Sequence, residues 1–488
     1  MAEPVVPRNE RFDVLAPRVP IADLGVVHVL AAGGAGMSAI VRLLLDAGVS
    51  VQGSDQKDSP LLRRLEELGA RVWVGHDPDH LEGVDTVVVS SAIREDNPEL
   101  AAARERGLRV LHRSQALAAA MGGQTRVAIA GANGKTTTSS MLTVALLEAG
   151  ERPSFALGGE LAARGVNAAL GDGSAFVAEA DESDGTFLAY APHVAIVTNV
   201  QPDHLDFYGD FATVQAAYRE FAGTITAGAK GEPGLLVACA DDEGSRRLAE
   251  QVRADGTRVL TYGFGPGADV RLGEPELDGT DAAADVASAG GTERLTIRVP
   301  GRHNLLNATA ALLAATEGLG VDPRAVLEGL AAYTGTRRRF ETRGTVAGVT
   351  VVDDYAHNPG KVEAVIRAAR EITGRGRLHV IFQPHLYSRT RDFAEGFARG
   401  LEPADEVTLL EIYGAREDPI PGVGPELIAT PLAAAGTSVQ VRDAPAAVTH
   451  VAAQARPGDL VLTVGAGDVT QLAPRILAAL RNGERGRA

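Results

Sequence analysis

The first third of the chain alternates short apolar runs with stretches of helical period. Residues 26–30 form an apolar run, residues 33–36 a glycine turn, and residues 38–47 a helical pattern that ends at a glycine. Further strands are predicted at residues 49–52, 71–74 and 86–89, with a helix at residues 60–68. Strands and helices that alternate at this spacing predict βαβ units built around a parallel sheet.

The alternation starts again after Gly122-Gly123-Gln124, which interrupts the pattern as a linker would. Residues 126–130 are predicted to form a strand, followed by a glycine loop and a helix over residues 139–148. Further strands are predicted at residues 175–179, 194–198 and 235–238, and helices at residues 308–317 and 323–331. Residues 263–291 are rich in Gly, Asp and Ala without strong periodicity, which predicts weak strands and loops.

A third series follows the arginines at positions 337–339. Its predicted strands are residues 350–352, 378–382, 406–410 and 460–463. We therefore expect an α/β protein of three domains, comprising residues 1–122, 123–335 and 336–488.

Composition narrows the class of protein. The 488 residues are 45% hydrophobic and 23% charged, as expected of a globular protein, and carry a formal net charge of −16. That charge argues against nucleic acid or an anionic membrane as a partner, since either needs a basic field. We find no apolar run long enough to span a membrane and no signal peptide in the first 20 residues, so we expect a cytoplasmic protein. The single cysteine, Cys239, excludes an internal disulfide and is predicted to be a buried strand residue.

Lysine is scarce, which draws attention to one position. Only four lysines accompany 43 arginines, and Lys135 lies in the segment Gly131-Ala-Asn-Gly134-Lys135-Thr136-Thr137, between a predicted strand and a predicted helix. Glycines permit a tight turn whose backbone amides, with the helix N-terminus, bind anions. Lys135 would reach the β- and γ-phosphates and the Thr136 hydroxyl would face Mg²⁺. The loop is shorter than the usual P-loop, with two residues between Gly131 and Gly134.

Carboxylates follow two predicted strands behind this loop. Residues 179–184 contain four carboxylates, among them Glu179, and residues 203–206 contain His204 between acidic residues. Hard oxygen ligands suit Mg²⁺, and the carboxyl ends of parallel strands are where α/β sheets place ligands. The pattern predicts ATP·Mg²⁺ chemistry.

The first glycine turn supports an alternative. Gly34-Ala-Gly36-Met-Ser38-Ala39 follows a strand and fits G-x-G-x-x-A, and Asp55 lies about 20 residues further on, as in dinucleotide-binding proteins. A nicotinamide-dependent dehydrogenase is therefore a second hypothesis, although it leaves the lysine loop unexplained.

These motifs, in this order, resemble the Mur ligase family, the ATP-dependent amino-acid ligases of peptidoglycan synthesis. The matching stretches are residues 33–38, 53–55, 90–94, 97–98, 134–138, 179–184, 203–206, 301–304, 307, 338–340, 353–357, 383–389 and 412–416. The resemblance implies an N-terminal Rossmann-like domain that binds a UDP sugar, a central P-loop-type ATPase domain, and a C-terminal Rossmann-like domain that closes over the site. The motifs are most similar to the member that joins L-alanine to the lactyl carboxylate of UDP-N-acetylmuramate through an acyl phosphate, giving ADP and phosphate. A monomer and a homodimer are both compatible with the sequence.

The resemblance also implies roles for individual residues. ATP would be held by Gly131, Ala132, Asn133, Gly134, Lys135, Thr136, Thr137, Asn304, Asn307 and Arg339. The metal ligands would be Thr136, Glu179 and His204, and the catalytic residues Lys135, Glu179, His204, Arg339 and Asp354. The substrates would contact Gly33, Gly34, Gly36, Ser38, Asp55, Ser90 and Ser91 on the sugar-nucleotide side and His357 and Arg389 on the alanine side.

Three departures from the family pattern bear on this assignment. Asn133 stands where the family commonly has histidine, and the motif Asp354-Tyr-Ala-His357-Asn-Pro is closer to sister ligases that add later residues. Those sister ligases carry a carbamylated lysine 14 positions after the histidine at 204, where this chain has Tyr218. Its absence is typical of the alanine-adding member.

Other hypotheses stay open. The chain could be a nucleotide-sensing module without chemistry, or the related ligase that reattaches recycled murein tripeptide. Residues 337–339 could be only a solvated basic turn, and Asn304 and Asn307 could cap the helix predicted at residues 308–317.

Overall fold

The computed structural model describes residues 4–228, 231–415 and 417–485, so Lys230 and Arg416 lie outside the described residues. The chain forms two compact units. The first comprises Met1–Pro275, Ala284–Thr296 and Leu306–Tyr333, and the second comprises Glu276–Ala283, Ile297–Leu305 and Thr334–Ala488. In the described part of the chain, no helix is long and apolar enough to cross a bilayer.

The first unit begins with a five-stranded parallel sheet of order β3-β2-β1-β4-β5. Its strands are β1 (Val27–Leu30), β2 (Val51–Asp55), β3 (Arg71–Val74), β4 (Thr86–Val89) and β5 (Arg109–His112), and its helices are α1 (Ala35–Asp46), α2 (Pro60–Glu67), α3 (Pro98–Glu105) and α4 (Arg113–Ala120). The predicted βαβ alternation is confirmed. Helix α1 begins three residues earlier than predicted, because Gly34 serves as its N-cap and Gly36 lies in its first turn.

The second sheet also belongs to the first unit for most of its length. Its elements are β6 (Thr125–Ala130), α5 (Lys135–Glu148), β7 (Ser154–Ala156), β8 (Ala168–Ala169), β9 (Ala175–Glu179), β10 (Val194–Val197), α6 (Leu205–Tyr208), α7 (Phe211–Gly223), β11 (Leu235–Cys239), α8 (Glu243–Ala254), β12 (Arg258–Gly263), β13 (Val270–Leu272), β14 (Glu276–Asp278), β15 (Asp281–Ser288), β16 (Gly291–Ile297), α9 (Arg302–Leu313) and α10 (Pro323–Ala331). The order β13-β12-β11-β10-β6-β9-β7-β8 places β6 between β10 and β9. The predicted weak strands of residues 263–291 are observed, and Cys239 is buried in β11.

The helix predicted at residues 308–317 is displaced toward the N-terminus. It begins at Arg302, and a single π-turn over Ala314–Gly318 ends it. Asn304 and Asn307 therefore lie inside the helix, and the hypothesis that they cap it from outside is wrong. The Asn304 side chain instead donates to the Pro300 carbonyl at 2.7 Å.

The second unit contains a six-stranded sheet of order β17-β18-β22-β19-β20-β21. Its elements are β17 (Glu341–Val346), β18 (Val349–Asp354), α11 (Pro359–Thr373), β19 (Leu378–Phe382), α12 (Tyr387–Leu401), β20 (Glu406–Leu409), α13 (Glu426–Ala434), β21 (Ser438–Val441), α14 (Ala444–Gln454), β22 (Leu460–Val464) and α15 (Leu472–Arg485). Strand β17 pairs antiparallel with β18. Sequence periodicity missed β17 and β21 because these edge strands bury few side chains.

A buried carboxylate organises one face of the first sheet. Glu99 in α3 is fully buried, and its oxygens lie 2.7 Å from His76 Nδ1, 2.7 Å from His80 Nδ1 and 3.4 Å from His28 Nε2. Ser54 in β2 donates to the same carboxylate at 2.5 Å. Burial alone would raise the pKa of Glu99, but the hydrogen bonds and charge of these neighbours outweigh it and lower the pKa from 4.5 to about 2. The ionised carboxylate therefore stabilises this domain.

We predict that Glu99→Gln lowers the free energy of unfolding at pH 7.5 by about 2 kcal/mol, because the amide cannot replace the charge. A folded-state pKa below the ordinary value means that the stabilisation is complete above pH 4.5 and is lost as the pH falls toward about 2. The difference between wild type and variant should therefore shrink below pH 4.5. Urea denaturation followed by fluorescence of the only tryptophan, Trp73, measures it, since this ring stacks on His80 at 4.4 Å.

Glu67→Gln is the matched control, because Glu67 is exposed in the neighbouring helix α2. It should leave unfolding unchanged at every pH. Equal stability of Glu99→Gln and wild type at pH 7.5 would contradict the assigned role of the buried carboxylate.

Candidate functional site

The glycine loop between β6 and α5 is held by close contacts that exclude side chains at its two glycines. Gly131 has φ +137°, and a Cβ built on it would lie 2.0 Å from Thr198 Oγ1. Gly134 has φ +86°, and a Cβ there would lie 2.7 Å from Asn307 Oδ1. Only glycine fits both positions. The loop therefore presents its backbone amides ahead of the α5 N-terminus, which is the geometry of an anion site.

Residues 198–201, which follow β10, hold this loop through hydrogen bonds. The Asn133 carbonyl accepts from Thr198 Oγ1 at 2.6 Å and from Asn199 Nδ2 at 2.9 Å, and Asn199 Oδ1 accepts from the Asn133 amide at 2.9 Å. The Asn133 side chain donates to Gln201 Oε1 at 2.9 Å. Asn133 thus contributes to loop geometry through its backbone as well as its side chain. The predicted site residues omitted Thr198, Asn199 and Gln201, although these lie at and just after the end of the strand predicted at residues 194–198.

Lys135 makes a short ion pair inside the site. Its Nζ lies 2.8 Å from Glu182 Oε2 and donates to the Gly131 carbonyl at 2.6 Å. Glu182 is buried, with 2% of its surface exposed. Burial alone would lower the pKa of Lys135, but the charges of Glu182, Asp181 and Glu179 outweigh it and raise the pKa. The lysine is therefore a fixed positive charge, and Glu182 is a functional residue that the predicted set omitted.

Two of the predicted metal ligands are in contact. Thr136 Oγ1 donates to Glu179, with distances of 2.9 and 3.1 Å to the two carboxylate oxygens. The Gly158 amide donates to Glu179 Oε2 at 2.8 Å. A hydroxyl and a carboxylate that converge beside a phosphate loop are donors of the kind that Mg²⁺ prefers.

His204 lies near the lysine ion pair in a strained backbone. It has φ +52°, and its Nε2 is 3.9 Å from Glu182 Oε1 and 3.9 Å from Asp203 Oδ1. Non-glycine residues rarely adopt this conformation, and it persists where a side chain must be aimed at a site. Within residues 4–228, 231–415 and 417–485, no group of three or more His, Cys, Asp or Glu side chains could by itself hold a metal ion. A metal at this site would therefore draw on the Thr136 hydroxyl and on the substrate as well.

The first glycine turn lies between β1 and α1 and is shorter than predicted, because α1 begins at Ala35. The Gly33 amide donates to Asp55 Oδ2 at 3.0 Å, which joins the turn after β1 to the end of β2. Gly34 is extended and caps α1, and Ser38 is buried in the first turns of that helix. Ser91, which follows β4 together with Ser90, donates to Asp184 at 2.5 Å and so contacts the carboxylate segment of the second sheet.

In the second unit, Asp354 and the arginines form a separate cluster. Asp354 accepts from the Phe340 amide at 2.8 Å and from the Ala356 amide at 2.7 Å, and its burial raises its pKa. The guanidinium carbon of Arg339 lies 5.1 Å from the centre of the Tyr355 ring. Arg338 donates to the Gly465 carbonyl at 2.8 Å, so the arginine run is not simply a solvated turn.

His357 and Arg389 lie close enough to interact. The His357 ring contacts the Tyr355 carbonyl through Nδ1 at 2.9 Å. Burial lowers the pKa of His357 well below its ordinary value, and the positive charges of Lys361 and Arg389 lower it further. The imidazole is therefore neutral at physiological pH and lies beside a guanidinium at the start of α12.

Comparisons with known proteins agree with this architecture. Three models of the Mur ligase family match consecutive segments: the catalytic domain at residues 26–125, the middle domain at residues 129–315 and the glutamate ligase domain at residues 338–467. The chain is 56% identical over 466 residues to UDP-N-acetylmuramate--L-alanine ligase from Kineococcus radiotolerans, covering 94% of this chain and 97% of the relative.

Solved structures show the same fold. The crystal structure of UDP-N-acetylmuramate-alanine ligase from Thermotoga maritima has a TM-score of 0.77 and 27% identity, covering 94% of this chain and 99% of that chain. A murein peptide ligase from Psychrobacter arcticus has a TM-score of 0.69 and 24% identity, again covering 94% and 99%. The predicted three-domain α/β fold is confirmed, while the predicted domain boundaries stay predictions.

We predict that Gly131→Ala weakens binding of a non-hydrolysable ATP analogue at least about tenfold, because the new Cβ collides with Thr198 and forces the loop to move. Isothermal titration calorimetry measures the dissociation constant. Gly123→Ala is the control, since Gly123 also has positive φ, +80°, but a Cβ there meets nothing within 4 Å. Similar affinities for the two variants would show that the contact with Thr198 does not shape the site.

Proposed function

The chain belongs to the Mur ligase family, and we propose that it joins the amino group of L-alanine to the lactyl carboxylate of UDP-N-acetylmuramate, converting ATP to ADP and phosphate. One structural observation carries the proposal. Lys135, at the glycine loop, pairs with Glu182 close to the hydrogen-bonded Thr136 and Glu179. This arrangement supports a site for a nucleoside triphosphate with magnesium. The assignment of the substrates rests on the names of relatives that are 56% and 52% identical over nearly the whole chain.

The chemistry explains the need for ATP. A carboxylate is a poor electrophile because its negative charge is delocalised over both oxygens. A carboxylate oxygen therefore attacks the γ-phosphorus of ATP, and ADP leaves. The product is an acyl phosphate, whose carbonyl carbon the alanine nitrogen attacks, and the tetrahedral intermediate expels phosphate as the amide forms.

Residues of the second sheet would stabilise the phosphoryl transfer. Backbone amides of residues 131–137 and the Lys135 ammonium would hold the phosphates, so that the ammonium exchanges the Glu182 carboxylate for phosphate oxygens. Thr136, Glu179 and His204 would hold magnesium, which neutralises charge that develops on the transferred group. The helix of Asn304 and Asn307 would approach the adenine side, and Asn307 already contacts the loop at Gly134.

The glycine turn of residues 33–36 would bind the UDP sugar. Asp55 fixes this turn through the Gly33 amide, and the α1 N-terminus supplies amides for a diphosphate. Ser38, Ser90 and Ser91 would contact the same ligand. The same motif could bind either NAD or the diphosphate of a UDP sugar. Only the ligase hypothesis also explains the glycine loop that contains Lys135.

Residues of the second unit would bind the amino acid and complete the nucleotide site. Arg389 would pair with the alanine carboxylate, and His357 would face the same alanine site. Arg339 and Asp354 would reach ATP when the third domain closes. Closure excludes water, which would otherwise hydrolyse the acyl phosphate.

Two other functions are less well supported. A nucleotide sensor without chemistry would not need the Lys135, Thr136 and Glu179 set. Two murein peptide ligases of known structure are 24% and 28% identical to this chain, against 56% for the alanine-adding relative. We also propose that the enzyme acts in the cytoplasm, where its nucleotide substrates are made, and we expect a monomer or a homodimer.

We predict that phosphate release from ATP in the presence of UDP-N-acetylmuramate and Mg²⁺ is greatest with L-alanine. A colorimetric phosphate assay with L-alanine, glycine, L-serine, D-alanine, D-glutamate and the murein tripeptide tests this. Mass spectrometry of the UDP product confirms amide formation. Equal release with the tripeptide or with other amino acids would refute the substrate assignment.

We predict that Lys135→Ala lowers kcat by about 10³-fold, because transition-state charge on the transferred phosphoryl group loses its ammonium partner. Steady-state phosphate release measures the rate, and circular dichroism shows whether the variant remains folded, since the change leaves Glu182 buried without its ammonium partner. Lys57→Ala is the control, since Lys57 is exposed and far along the chain from the loop. An unchanged kcat in Lys135→Ala would remove the central claim.

A further inference from the structure

The carboxylate segment, defined as residues 179–184, is attached to the first sheet as well as to the phosphate loop. Arg113, the first residue of α4, donates from Nη2 to Asp181 Oδ2 at 2.5 Å. Three residues further along, Asp184 accepts from Ser91 Oγ at 2.5 Å and lies 3.4 Å from His112 Nε2. Two consecutive residues at the junction of β5 and α4 therefore lie against two aspartates of the carboxylate segment.

The same segment holds the lysine of the phosphate loop. Glu182 lies between the two aspartates and pairs with Lys135 at 2.8 Å, while Glu179, at the start of the segment, accepts from Thr136. The segment spans only six residues, so a displacement of Asp181 must move the neighbouring Glu182 carboxylate. The position of the Lys135 ammonium therefore depends on a contact that the first sheet makes.

Arg113 also lies at the turn predicted to bind the sugar nucleotide. A Cβ built on Gly36, in the first turn of α1, would lie 3.6 Å from Arg113 Nη1. The two terminal nitrogens of one guanidinium thus face different sites: Nη2 binds the carboxylate segment, and Nη1 lies beside the glycine turn. A planar fork of this kind holds two acceptors in a fixed mutual geometry, which a lysine ammonium cannot do.

The ion pair between Arg113 and Asp181 contributes little to folding stability. The Arg113 and Asp181 side chains keep 28% and 38% of their surface exposed. Ion pairs with this much exposure contribute little to the free energy of unfolding. Their position between two ligand sites is the more informative property.

We propose that Arg113 is a positioning residue that couples the two sites, so that the sugar nucleotide and ATP bind with mutual enhancement. This inference rests on the proposed function. A diphosphate at the α1 N-terminus fixes the guanidinium, which fixes Asp181, and the carboxylate segment then holds Glu182 and Glu179 where the phosphates of ATP require them. Because coupling between two ligands is reciprocal, ATP tightens binding of the sugar nucleotide by the same factor.

The test compares the dissociation constant of a non-hydrolysable ATP analogue, with Mg²⁺, in the absence and in the presence of saturating UDP-N-acetylmuramate. In the wild type the ratio of the two constants should be about ten, within the usual range for coupled sites. In Arg113→Lys the ratio should fall to about one, because the ammonium keeps the charge but cannot hold two acceptors. Calorimetry measures each constant, so no catalytic turnover is needed.

Two further variants keep the proposal open to refutation. Asp181→Asn changes the other partner of the same contact and should also lower the ratio of dissociation constants to about one. This variant tests the contact even if Arg113→Lys proves unstable. Arg106→Lys is the matched control, because Arg106 is exposed in the same domain, and it should keep the wild-type ratio. A purely structural role for Arg113 would shift the unfolding midpoint and leave the ratio of constants intact.

The outcomes separate this inference from the function on which it rests. A wild-type ratio of one, or a ratio of ten retained in Arg113→Lys and Asp181→Asn, overturns the coupling while alanine-dependent phosphate release still supports the ligase. Failure of the wild type to bind UDP-N-acetylmuramate, together with no alanine-dependent phosphate release, overturns both.

Discussion

The buried ion pair between Lys135 and Glu182 is the constraint around which the rest of the site is arranged. A buried ammonium is costly unless its charge is compensated, and Glu182 compensates it at 2.8 Å. The pair must nonetheless be exchangeable, since phosphate oxygens have to replace the carboxylate. The neighbouring groups serve both needs: the Gly131 carbonyl accepts from the lysine, and further carboxylates surround it. The lysine stays charged whichever anion it faces.

Holding that ion pair requires rigid backbone on both sides. On one side, Thr198 and Asn199 bind the Asn133 carbonyl, so the glycine loop cannot shift without losing two hydrogen bonds. On the other side, the carboxylate segment is tied to the first sheet through Asp181 and Asp184. The Lys135–Glu182 contact is thus held in place by residues of both the first and the second sheet. Preorganisation of this kind lets electrostatic stabilisation act without reorganisation during the reaction.

Much of this arrangement could be predicted from the sequence, and the exceptions have physical reasons. Periodicity located central strands such as β1, β6 and β10 because buried strands produce apolar runs, whereas it missed β5, β7 and β12 and the edge strands β17 and β21, which bury few side chains. Motif spacing identified Lys135, Thr136 and Glu179, which are in mutual or near contact. It did not identify Thr198 or Arg113, because their roles depend on distances between strands that are far apart in the chain. The predicted start of α9 was wrong because its first two turns contain polar residues, including Asn304 and Asn307, that resemble a loop.

The scarcity of lysine in this chain has a structural counterpart at position 135. Arginine supplies 43 of the 47 basic side chains, so composition would favour a guanidinium here as elsewhere. The Lys135 nitrogen, however, is a single atom with the Gly131 carbonyl at 2.6 Å and the Glu182 carboxylate at 2.8 Å. A planar fork would instead spread the charge over three nitrogens. Arginine instead serves at position 113, where one terminal nitrogen binds Asp181 and the other lies beside the first turn of α1.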